Sequence, residues 1–330
     1  MLFRSKISQS AAHHVVKKTI DVLALGEAML EFNQTHPGQP QYLQGFGGDT
    51  SNAAIAAARA GVQAAYLTRL GDDNFGRALL DLWRTEGVDT AAIETTADAP
   101  TGIYFVTHGA KGHEFSYLRA GSAASRMTPE WLQQREVQRH IEAARILHVS
   151  GISLAISPSA SETSLAAMRL AKRNGTLVSF DSNLRLKLWS LEQAQLGIAQ
   201  AVALCDLFLP SLEDMTALIG LSDPNAIIDW GHAQGAASVV LKLGADGALV
   251  SDGTRREHIA GKRVTVVDAT GAGDCFCGNL LARITQGDDI FTATRYANAA
   301  ASLAVQGFGA VAPLPEAVQV MAVLAASKKA

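Results

Sequence analysis

The chain has 330 residues, of which 48% are hydrophobic and 18% are charged. This composition supports a large buried core and excludes a disordered chain or a disulfide scaffold. Lysine and arginine (28) nearly balance aspartate and glutamate (31), so the net charge of −3 does not favour nucleic acid as a partner. The three cysteines are too few for a disulfide framework or a metal quartet, which indicates a reducing, cytoplasmic location. The longest uncharged stretch, residues 296–315, contains polar residues, glycine and proline and is unsuited to a membrane span.

Residues 1–20 differ from the rest of the chain. They carry four lysines and arginines and no acidic residue, so we expect a short basic N-terminal extension. A targeting peptide is the alternative, although no apolar run of about seven residues follows the basic positions. From residue 21 onward we find no internal repeat, no low-complexity linker and no shift in composition. Residues 21–330 are therefore predicted to form a single domain.

Short apolar strands alternate with helices along this domain. The segments predicted as strands read "DVLALGE", "AAYLTRLG", "RILHVSG", "TLVSFDSN", "DLFLP" and "SVVLKLG". Helices are predicted in "SNAAIAAARAG" and "FGRALLDLWRTEG" and around residues 161–173, 191–204 and 212–219. Strands separated by helices of about 10–15 residues form parallel βαβ units, so the predicted fold class is α/β with a doubly wound, mostly parallel sheet flanked by helices.

Two segments break this rhythm. The residues "YLQGFGG" and "TGIYFVTHGAKGHEFSYLRAGS" alternate apolar and polar side chains around glycine-containing turns, which is typical of antiparallel ribbons. We predict that residues 30–47 and 101–121, with approximate bounds, form a small antiparallel β-lid. This lid would cover the carboxyl edge of the parallel sheet, where α/β proteins bind ligands. An exposed face of the lid is a candidate surface for a homo-oligomer.

The segment "VTVVDATGAGDCFCGNLLARITQG" is the most informative part of the chain. It predicts a strand from Val264 to Val267, a glycine-rich turn and a helix from about Asp274. Gly271 and Gly273 permit close backbone approach to a ligand, and the N–H groups of a helix N-terminus attract an anion such as phosphate. The alternative is an ordinary glycine turn with Asp274 in the first helical turn. The chain has no GxxxxGK[ST] motif, which excludes a P-loop, and no clean GxGxxG after the first strand, which disfavours a dinucleotide site.

Two motifs carry a family resemblance. The segment "DATGAGDCFCGNLLA" resembles the C-terminal signature of the ribokinase-like (pfkB) carbohydrate kinases, and "GFGGDTSNAAIAAARAG" resembles their N-terminal signature. The resemblance implies a ribokinase-like fold with a sugar under the lid and ATP along the carboxyl edge of the sheet. Mg²⁺ and a monovalent cation such as K⁺ are then the candidate cofactors. It also implies that Asp274 deprotonates the attacking hydroxyl and that Gly271, Ala272 and Gly273 hold the charge developing on the phosphoryl group.

Candidate sugar contacts come from the N-terminal motif. Gly47 and Gly48 permit close backbone approach, and Asp49 and Asn52 are candidate partners for hydroxyl groups. The alternative for Asp49 is a helix cap in front of the alanine-rich helix. The resemblance implies that Glu31 stands where many family members carry a sugar-binding aspartate.

Two arginines indicate an acidic substrate. Tyr117 and Arg119 are two residues apart and share one face of a predicted strand, while Asn183 and Arg185 follow the end of another. A guanidinium group matches a carboxylate bidentately, whereas a neutral sugar does not need two of them. The alternatives are that Arg119 faces solvent and that Arg185 contacts only ATP phosphates.

Five segments also resemble the sugar-acid branch of the family, which phosphorylates 2-dehydro-3-deoxygluconate at its C6 hydroxyl. They are "GFGGDTSN", "TGIYF", "FSYLRAGSA", "LHVSGISLAISPS" and "FDSNLRLKLW". The substrate contacts implied by this resemblance are Gly48, Tyr104, Tyr117, Arg119, Arg185 and Asp274. A kinase of a neutral ketose and a sugar-acid-binding regulator without catalysis stay open as alternatives.

ATP contacts are predicted mainly from the second half of the chain. The segment "VVLKLGADGALV" predicts two strands joined by a tight turn, where Lys242 reaches a phosphate; an ordinary hairpin with a surface lysine is the alternative. The predicted nucleotide contacts, several of them implied by the resemblance, are Asn183, Arg185, Lys242, Gly244, Ala245, Asp246, Gly247, Gly271, Gly273 and Asn298. Many family members carry an Asn-x-x-Glu motif that helps to place Mg²⁺. The aligned residues are Ser211 and Asp214, with Glu213 beside them, so Asp214 is the candidate for holding Mg²⁺ through water.

Overall fold

The computed structural model describes residues 17–109 and 112–327. Most of the predicted basic extension therefore lies outside the described residues. Its last part packs on the fold, because the Lys18 ammonium group donates to Thr176 Oγ1 at 2.7 Å and to the carbonyls of Glu142 and Asn174 at 3.0 Å. Packing contacts are thus already present before residue 21, where the sequence predicts the domain to start.

Strands and helices alternate along most of the chain, as predicted. The strands are β1 (Ile20–Leu25), β2 (Met29–Gln34), β3 (Tyr42–Gly47), β4 (Ala64–Leu67), β5 (Arg69–Gly71), β6 (Glu94–Thr96), β7 (Ile103–Gly109), β8 (Gly112–Leu118), β9 (Ala144–Ser150), β10 (Leu177–Asp181), β11 (Leu207–Phe208), β12 (Ser238–Lys242), β13 (Ala248–Ser251) and β14 (Arg256–Ile259). The helices are α1 (Asp49–Arg59), α2 (Asn74–Thr85), α3 (Arg135–Ala143), α4 (Gly151–Ala155), α5 (Pro158–Arg173), α6 (Leu191–Leu204), α7 (Leu212–Ile219), α8 (Pro224–Gln234), α9 (Ala272–Thr285), α10 (Ile290–Ala304) and α11 (Ala317–Ser327).

Within the described residues, eight strands form the large sheet in the order β14-β13-β12-β11-β10-β9-β1-β4. The pairs from β4 to β12 are parallel, and β13 and β14 add an antiparallel edge. The path of the chain reverses at β1, which has β4 on one side and β9 on the other. Ligands bind at such a reversal, beyond the carboxyl ends of the strands. The predicted doubly wound, mostly parallel sheet is confirmed.

Helices cover both faces of this sheet because its strands are apolar on both sides. In β1, Val22 and Ala24 belong to one core cluster, together with residues of α1 and α9, and Leu23 and Leu25 belong to a second cluster with residues of α5 and α6. Among the helices of the described residues, none is long and apolar enough to cross a membrane. Because helices pack on both faces of the sheet, the carboxyl ends of the strands are held in place from both sides.

The predicted lid is a second, smaller sheet with the order β3-β2-β7-β8. The pairs β2/β3 and β7/β8 are antiparallel, as the alternating patterns predict. A parallel pairing of β2 with β7 joins the two ribbons. Alternation within a segment does not specify this pairing, because the two strands are far apart in the chain. Met29, Tyr104 and Val106 form a small buried cluster within the lid.

One predicted strand is wrong. Residues 264–267 form no strand, and the last two valines of the run are 59% and 60% exposed. The large sheet ends at β14, and the run is not paired with that strand. The N–H of Val267 donates instead to the carbonyl of Val305 at 2.8 Å. The glycine turn that follows leads into α9, as predicted, although the helix begins slightly earlier, at Ala272.

Candidate active site

A cavity of about 730 Å³ lies at the carboxyl ends of the parallel strands and is bordered by the lid. Most of the predicted site residues line it, although the chain separates them widely. They are Gly47, Gly48, Asp49, Asn52, Tyr104, Tyr117, Arg119, Asn183, Arg185, Asp214, Lys242, Gly244, Gly271, Gly273 and Asp274. The fold thus brings together the N-terminal motif, the lid and the C-terminal glycine turn, and the roles of the individual residues stay predictions.

Asp274 lies in the first turn of α9 and faces the cavity. The side-chain amide of Asn52, from α1, donates to its Oδ2 at 2.8 Å. Burial and the nearby Asp49 carboxylate raise the pKa of Asp274 to about 7, against the opposing effect of the Asn52 hydrogen bond. A carboxylate with this pKa is well matched to proton transfer at neutral pH.

The glycine turn in front of Asp274 has the geometry expected of an anion site. Gly271 is the N-cap of α9 and has φ of 74°, a left-handed conformation that glycine adopts without strain. The first N–H groups of α9 have no partner within the helix and carry the positive end of its dipole. A Cβ placed on Gly273 would lie 3.7 Å from Lys242 Nζ, so the helix N-terminus and this ammonium group face the same region.

Lys242 and Asp181 form a buried ion pair at the cavity floor. Their Nζ and Oδ2 atoms are 2.6 Å apart, and the two side chains are 14% and 5% exposed. Burial disfavours the ammonium charge, but the attraction and hydrogen bond of Asp181, with other nearby anionic groups, outweigh it and raise the pKa of Lys242 above its ordinary value. The thiol of Cys277 also contacts Asp181 Oδ2, at 3.3 Å. The predicted strand-and-turn geometry around Lys242 is present, and the lysine is not the surface residue of the alternative interpretation.

Asp49 and Asn52 keep free oxygen atoms at the cavity. Asp49 Oδ2 accepts a hydrogen bond from Asn183 Nδ2 at 2.8 Å, whereas Asp49 Oδ1 and Asn52 Oδ1 are buried without a partner in the described residues. Asp49 is not the cap of α1, because Gly48 is the N-cap residue and the cap has no side-chain hydrogen bond. Asn183 has φ of 24°, a left-handed conformation that asparagine tolerates better than most residues. Buried polar atoms without partners indicate a missing partner, such as a water molecule or a polar group of a ligand.

On the lid, Tyr104 is held by a residue behind the cavity wall. Its hydroxyl donates to Glu31 Oε2 at 2.6 Å. Burial and the Glu31 carboxylate raise the pKa of Tyr104 above its ordinary value, so the phenol stays protonated. A Cβ on Gly47 would lie 2.3 Å from the Tyr104 hydroxyl, so only glycine permits this approach. Glu31 does not line the cavity itself and acts through Tyr104, whose ring centroid is 5.6 Å from that of Tyr117.

Arg119 follows the end of β8 and already has an anionic partner. Its Nε donates to Glu27 Oε2 at 2.7 Å, and its Nη2 donates to the same oxygen. Glu27 and Asp181 are residues that the sequence interpretation did not assign to the site. The signal available in the sequence is their position, because each acidic residue lies at or just after the end of an apolar strand, as in "LALGE" and "LVSFD". Such positions meet at the carboxyl edge of a parallel sheet.

Arg185 and Asp214 lie at the rim of the cavity. Arg185 is exposed, and its Nη1 donates to the carbonyl of Leu184 at 2.8 Å. Asp214 Oδ2 accepts a hydrogen bond from Ser182 Oγ at 2.8 Å, and Glu213 lines the cavity beside it. Across the part of the chain that the structure describes, no group of three or more His, Cys, Asp and Glu could hold a metal ion. A metal at this rim would therefore take most of its ligands from water and phosphate.

The other predicted nucleotide and turn residues are not part of the cavity wall: Ala245, Asp246, Gly247, Ala272 and Asn298. The amide of Asn298 donates to the carbonyl of Ile259 at 3.0 Å, and the carbonyl of Asp246 accepts from His258 Nε2 at 2.8 Å. These bonds connect the turn after β12 and helix α10 to the end of β14. Contacts of these residues with a nucleotide stay predictions.

Comparison with known proteins agrees with this geometry. A carboxylate with a raised pKa, a helix N-terminus and a lysine around one cavity, under a lid, are the features of a small-molecule kinase. The model of the family described as "pfkB family carbohydrate kinase" matches residues 19–317, which is most of the chain. The fold and the site are those of a carbohydrate kinase. The chain belongs to the pfkB family.

The similar proteins include kinases of different sugars. The 2-dehydro-3-deoxygluconokinase of Escherichia coli (strain K12) is 32% identical over 309 residues, which cover 88% of this chain and 97% of that protein. Fructokinase-1 of Oryza sativa subsp. japonica is 34% identical over 317 residues, which cover 91% of this chain and 96% of that protein. Among solved structures, a putative ribokinase II from E. coli in complex with ATP and Mg²⁺ has a TM-score of 0.85 and 25% identity, covering 93% of this chain and 99% of that chain. The ribokinase-like fold is confirmed.

Proposed function

We propose that this carbohydrate kinase transfers the γ-phosphate of ATP to the C6 hydroxyl of 2-dehydro-3-deoxy-D-gluconate, giving ADP and 2-dehydro-3-deoxy-6-phosphogluconate. The observation that carries the proposal is Asp274, a carboxylate with a pKa of about 7, at the start of the α9 helix. The same cavity wall contains Arg185 and Lys187, exposed cations that suit an acidic sugar. The similarity to the E. coli 2-dehydro-3-deoxygluconokinase supports the same substrate.

Asp274 is the proposed general base. It accepts the proton of the C6 hydroxyl while that oxygen forms a bond to the γ-phosphorus and the bond from phosphorus to the β,γ-bridging oxygen breaks. The electron pair of the broken bond leaves with ADP. Asn52 fixes the orientation of the carboxylate through its hydrogen bond to Oδ2. A positioned base of this kind contributes roughly 10²–10⁴-fold to the rate.

We propose that backbone N–H groups and Lys242 stabilise the negative charge on the transferred phosphoryl group. In our proposal the N–H groups of Gly271 and Gly273 donate to the phosphoryl oxygens, aided by the dipole of α9, while the N–H of Ala272 donates to the carbonyl of Ala269 at 3.2 Å. Lys242 is held in place by Asp181 and remains charged at neutral pH, because its pKa is raised. Transfer of a phosphoryl group is catalysed mainly by such positioning and charge stabilisation.

Mg²⁺ bound with ATP supplies charge neutralisation and in-line orientation of the triphosphate. The residues present fit this ion, since the carboxylates of Glu213 and Asp214 line the cavity and offer the oxygen ligands that Mg²⁺ prefers. These residues would hold it through water. Dependence on K⁺ and formation of a homo-oligomer stay predictions. A cytoplasmic location belongs to the proposal as well, because Cys205, Cys275 and Cys277 are all free thiols.

Phosphorylation of a neutral ketose such as fructose is the second candidate function. It is favoured by one observation, the neutralisation of Arg119 by Glu27, which removes one of the two arginine charges on which the prediction of an acid depends. In addition, the chain is 34% identical to rice fructokinase-1, which is comparable to its 32% identity to the E. coli 2-dehydro-3-deoxygluconokinase. We place the acid first because Arg185 and Lys187 have no ion-pair partner within the described residues.

The deciding experiment is coupled ADP release with 2-dehydro-3-deoxygluconate, 2-dehydro-3-deoxygalactonate, fructose and ribose. We expect kcat/KM for at least one of the two acids to exceed that for fructose by about tenfold or more, which corresponds to about 1.4 kcal/mol. Phosphorus NMR of the product should show a primary phosphate ester at C6. A preference for fructose or ribose would contradict the acid, and binding of the acid without ADP release would contradict catalysis.

A further inference from the structure

Glu27 is a buried carboxylate in the cavity wall that the proposed reaction does not use. It follows β1, at the point where the path of the large sheet reverses. Its side chain is 1% exposed, and it lines the cavity together with Arg119. A carboxylate so deeply buried is costly unless charged and hydrogen-bonding partners compensate it. The inference below rests on the proposed function in one respect, that the substrate carries a carboxylate.

Both carboxylate oxygens of Glu27 have partners. Oε2 accepts from Nε and Nη2 of Arg119, and Oε1 accepts from the hydroxyl of Ser122. Arg119 is itself 10% exposed, so little solvent separates the two charges. The Glu27–Arg119 pair therefore presents no net charge to the cavity. Nη1 is the guanidinium nitrogen that has no acceptor within residues 17–109 and 112–327.

Arg185 and Lys187 differ from Arg119 because they have no carboxylate partner within the described residues. Both are exposed, both line the same cavity, and neither forms an ion pair with the described part of the chain. A cation without a carboxylate partner has no neighbouring anion that cancels its attraction to an anionic ligand, whereas a paired cation acts mainly through its remaining N–H groups. The counter-charge for an acidic ligand is thus concentrated at Arg185 and Lys187.

We propose that Glu27 sets the discrimination between acidic and neutral sugars by cancelling the charge of Arg119. Arg119 then donates a hydrogen bond from Nη1 to a ligand oxygen of any kind, while Arg185 and Lys187 attract the carboxylate. Glu27 is a positioning residue, since it acts on the ligand through Arg119. The consequence is that the net charge of the pair, rather than the presence of Arg119 alone, determines the preference for an acid.

A charge cycle tests this proposal. The net charge of the pair is 0 in the wild type, +1 in Glu27→Gln, −1 in Arg119→Gln and 0 in the double variant. Glutamine has nearly the shape of glutamate and can still accept a hydrogen bond from Arg119. The quantity measured is kcat/KM for 2-dehydro-3-deoxygluconate divided by kcat/KM for fructose. We expect this ratio to rise about tenfold in Glu27→Gln, to fall about tenfold in Arg119→Gln and to return to the wild-type range in the double variant.

Ser122→Ala is the matched control, because it removes the other hydrogen bond of Glu27 without changing the charge. We expect it to leave the ratio within about twofold of the wild type. A ratio that Glu27→Gln lowers, or a double variant as low as Arg119→Gln, overturns the proposal. If a single variant does not fold in a melting test, the double variant decides, since it buries no unpaired charge at this position.

Failure of the proposed function is distinguishable from failure of this inference. The proposed function fails on the wild type alone, if the acid yields no ADP. In that case the same charge order is measured as the inhibition constant of the acid against phosphorylation of fructose. The expected order is tightest inhibition of Glu27→Gln, equal inhibition of the wild type and double variant, and weakest inhibition of Arg119→Gln. Any other order contradicts the role of Glu27.

Discussion

The two ends of the cavity are built in different ways. The end that we propose to bind phosphate, called the phosphate end, contains Gly271, Gly273, Asp274 and Lys242. The end that we propose to bind the sugar, called the sugar end, contains Glu27, Asp49, Tyr104 and Arg119. Three of the four residues at the phosphate end come from one turn and the first turn of one helix, so local backbone geometry presents its N–H groups. At the sugar end, each acidic or phenolic group depends on a hydrogen bond to a residue far away in the chain.

The difference lies in backbone against side-chain groups rather than in sequence separation, because Asp274 also accepts from Asn52, 222 positions away, and Lys242 donates to Asp181, 61 positions away. The bonds Glu27–Arg119, Glu31–Tyr104 and Asp49–Asn183 connect residues 92, 73 and 134 positions apart. Backbone N–H groups at a helix start recognise any phosphate, whereas paired side chains define which oxygen atoms and charges a ligand must present. We therefore expect changes at the phosphate end to affect kcat and changes at the sugar end to affect the choice of substrate.

The largest effect is expected at the phosphate end. Asp274→Asn keeps the shape of the side chain but removes the base, so kcat should fall by about 10²–10⁴-fold while the KM for the sugar changes little. Coupled ADP release measures both constants. Asp81→Asn, on the exposed surface of α2, is the matched control and should behave as the wild type. A kcat within threefold of the wild type, taken as about the size of experimental scatter, would falsify the assignment of the base.

The second prediction concerns the distant partner of Lys242, which is Asp181. Lys242→Met leaves the Asp181 carboxylate buried without its cation, so the free energy of unfolding should fall by about 3–5 kcal/mol. Urea denaturation followed by circular dichroism measures this change. The double variant Asp181→Asn, Lys242→Met buries no charge there and should regain most of the loss. Equal stability of the single and double variants would argue that the pair is not coupled in this way.

The smallest effect is the dependence on pH. The pKa of Asp274 is about 7, raised by burial and by Asp49 above its ordinary value, and only the ionised form accepts a proton. The kcat/KM should therefore be level above neutral pH and fall about tenfold for each pH unit below it. A profile that is flat on the acidic side would contradict this assignment.

Folding stability should show the opposite trend at the same group. Because the folded state holds the Asp274 proton more tightly than the unfolded chain, this group contributes stability at acidic pH that is lost as the pH rises through about 7. Asp274→Asn carries no such proton. Its melting temperature should exceed that of the wild type at about pH 8, and the difference should shrink towards pH 5.

Much of the architecture could be predicted from local patterns. The apolar runs and helical periodicities identify the parallel sheet, and the alternating segments identify the two ribbons of the lid. The strand predicted at Val264–Val267 is wrong because an apolar run forms a strand only where it pairs with a neighbouring strand, and the N–H of Val267 donates instead to the carbonyl of Val305, at the end of α10. The same limitation hides the parallel pairing of β2 with β7, which no local pattern specifies.

The chemistry of the site likewise depends partly on the local sequence and partly on the tertiary structure. From the residues alone one obtains the glycine turn before a helix, the carboxylate that follows it and the two arginines, because these depend on residue type and short spacing. The pKa of Asp274 and the effective charge of Arg119 come from the folded protein. Both are set by burial and by the distance to charges contributed from other segments, Asp49 for the first and Glu27 for the second. Electrostatic free energies depend on separation in space and on the exclusion of water, and the order of residues in a chain contains neither.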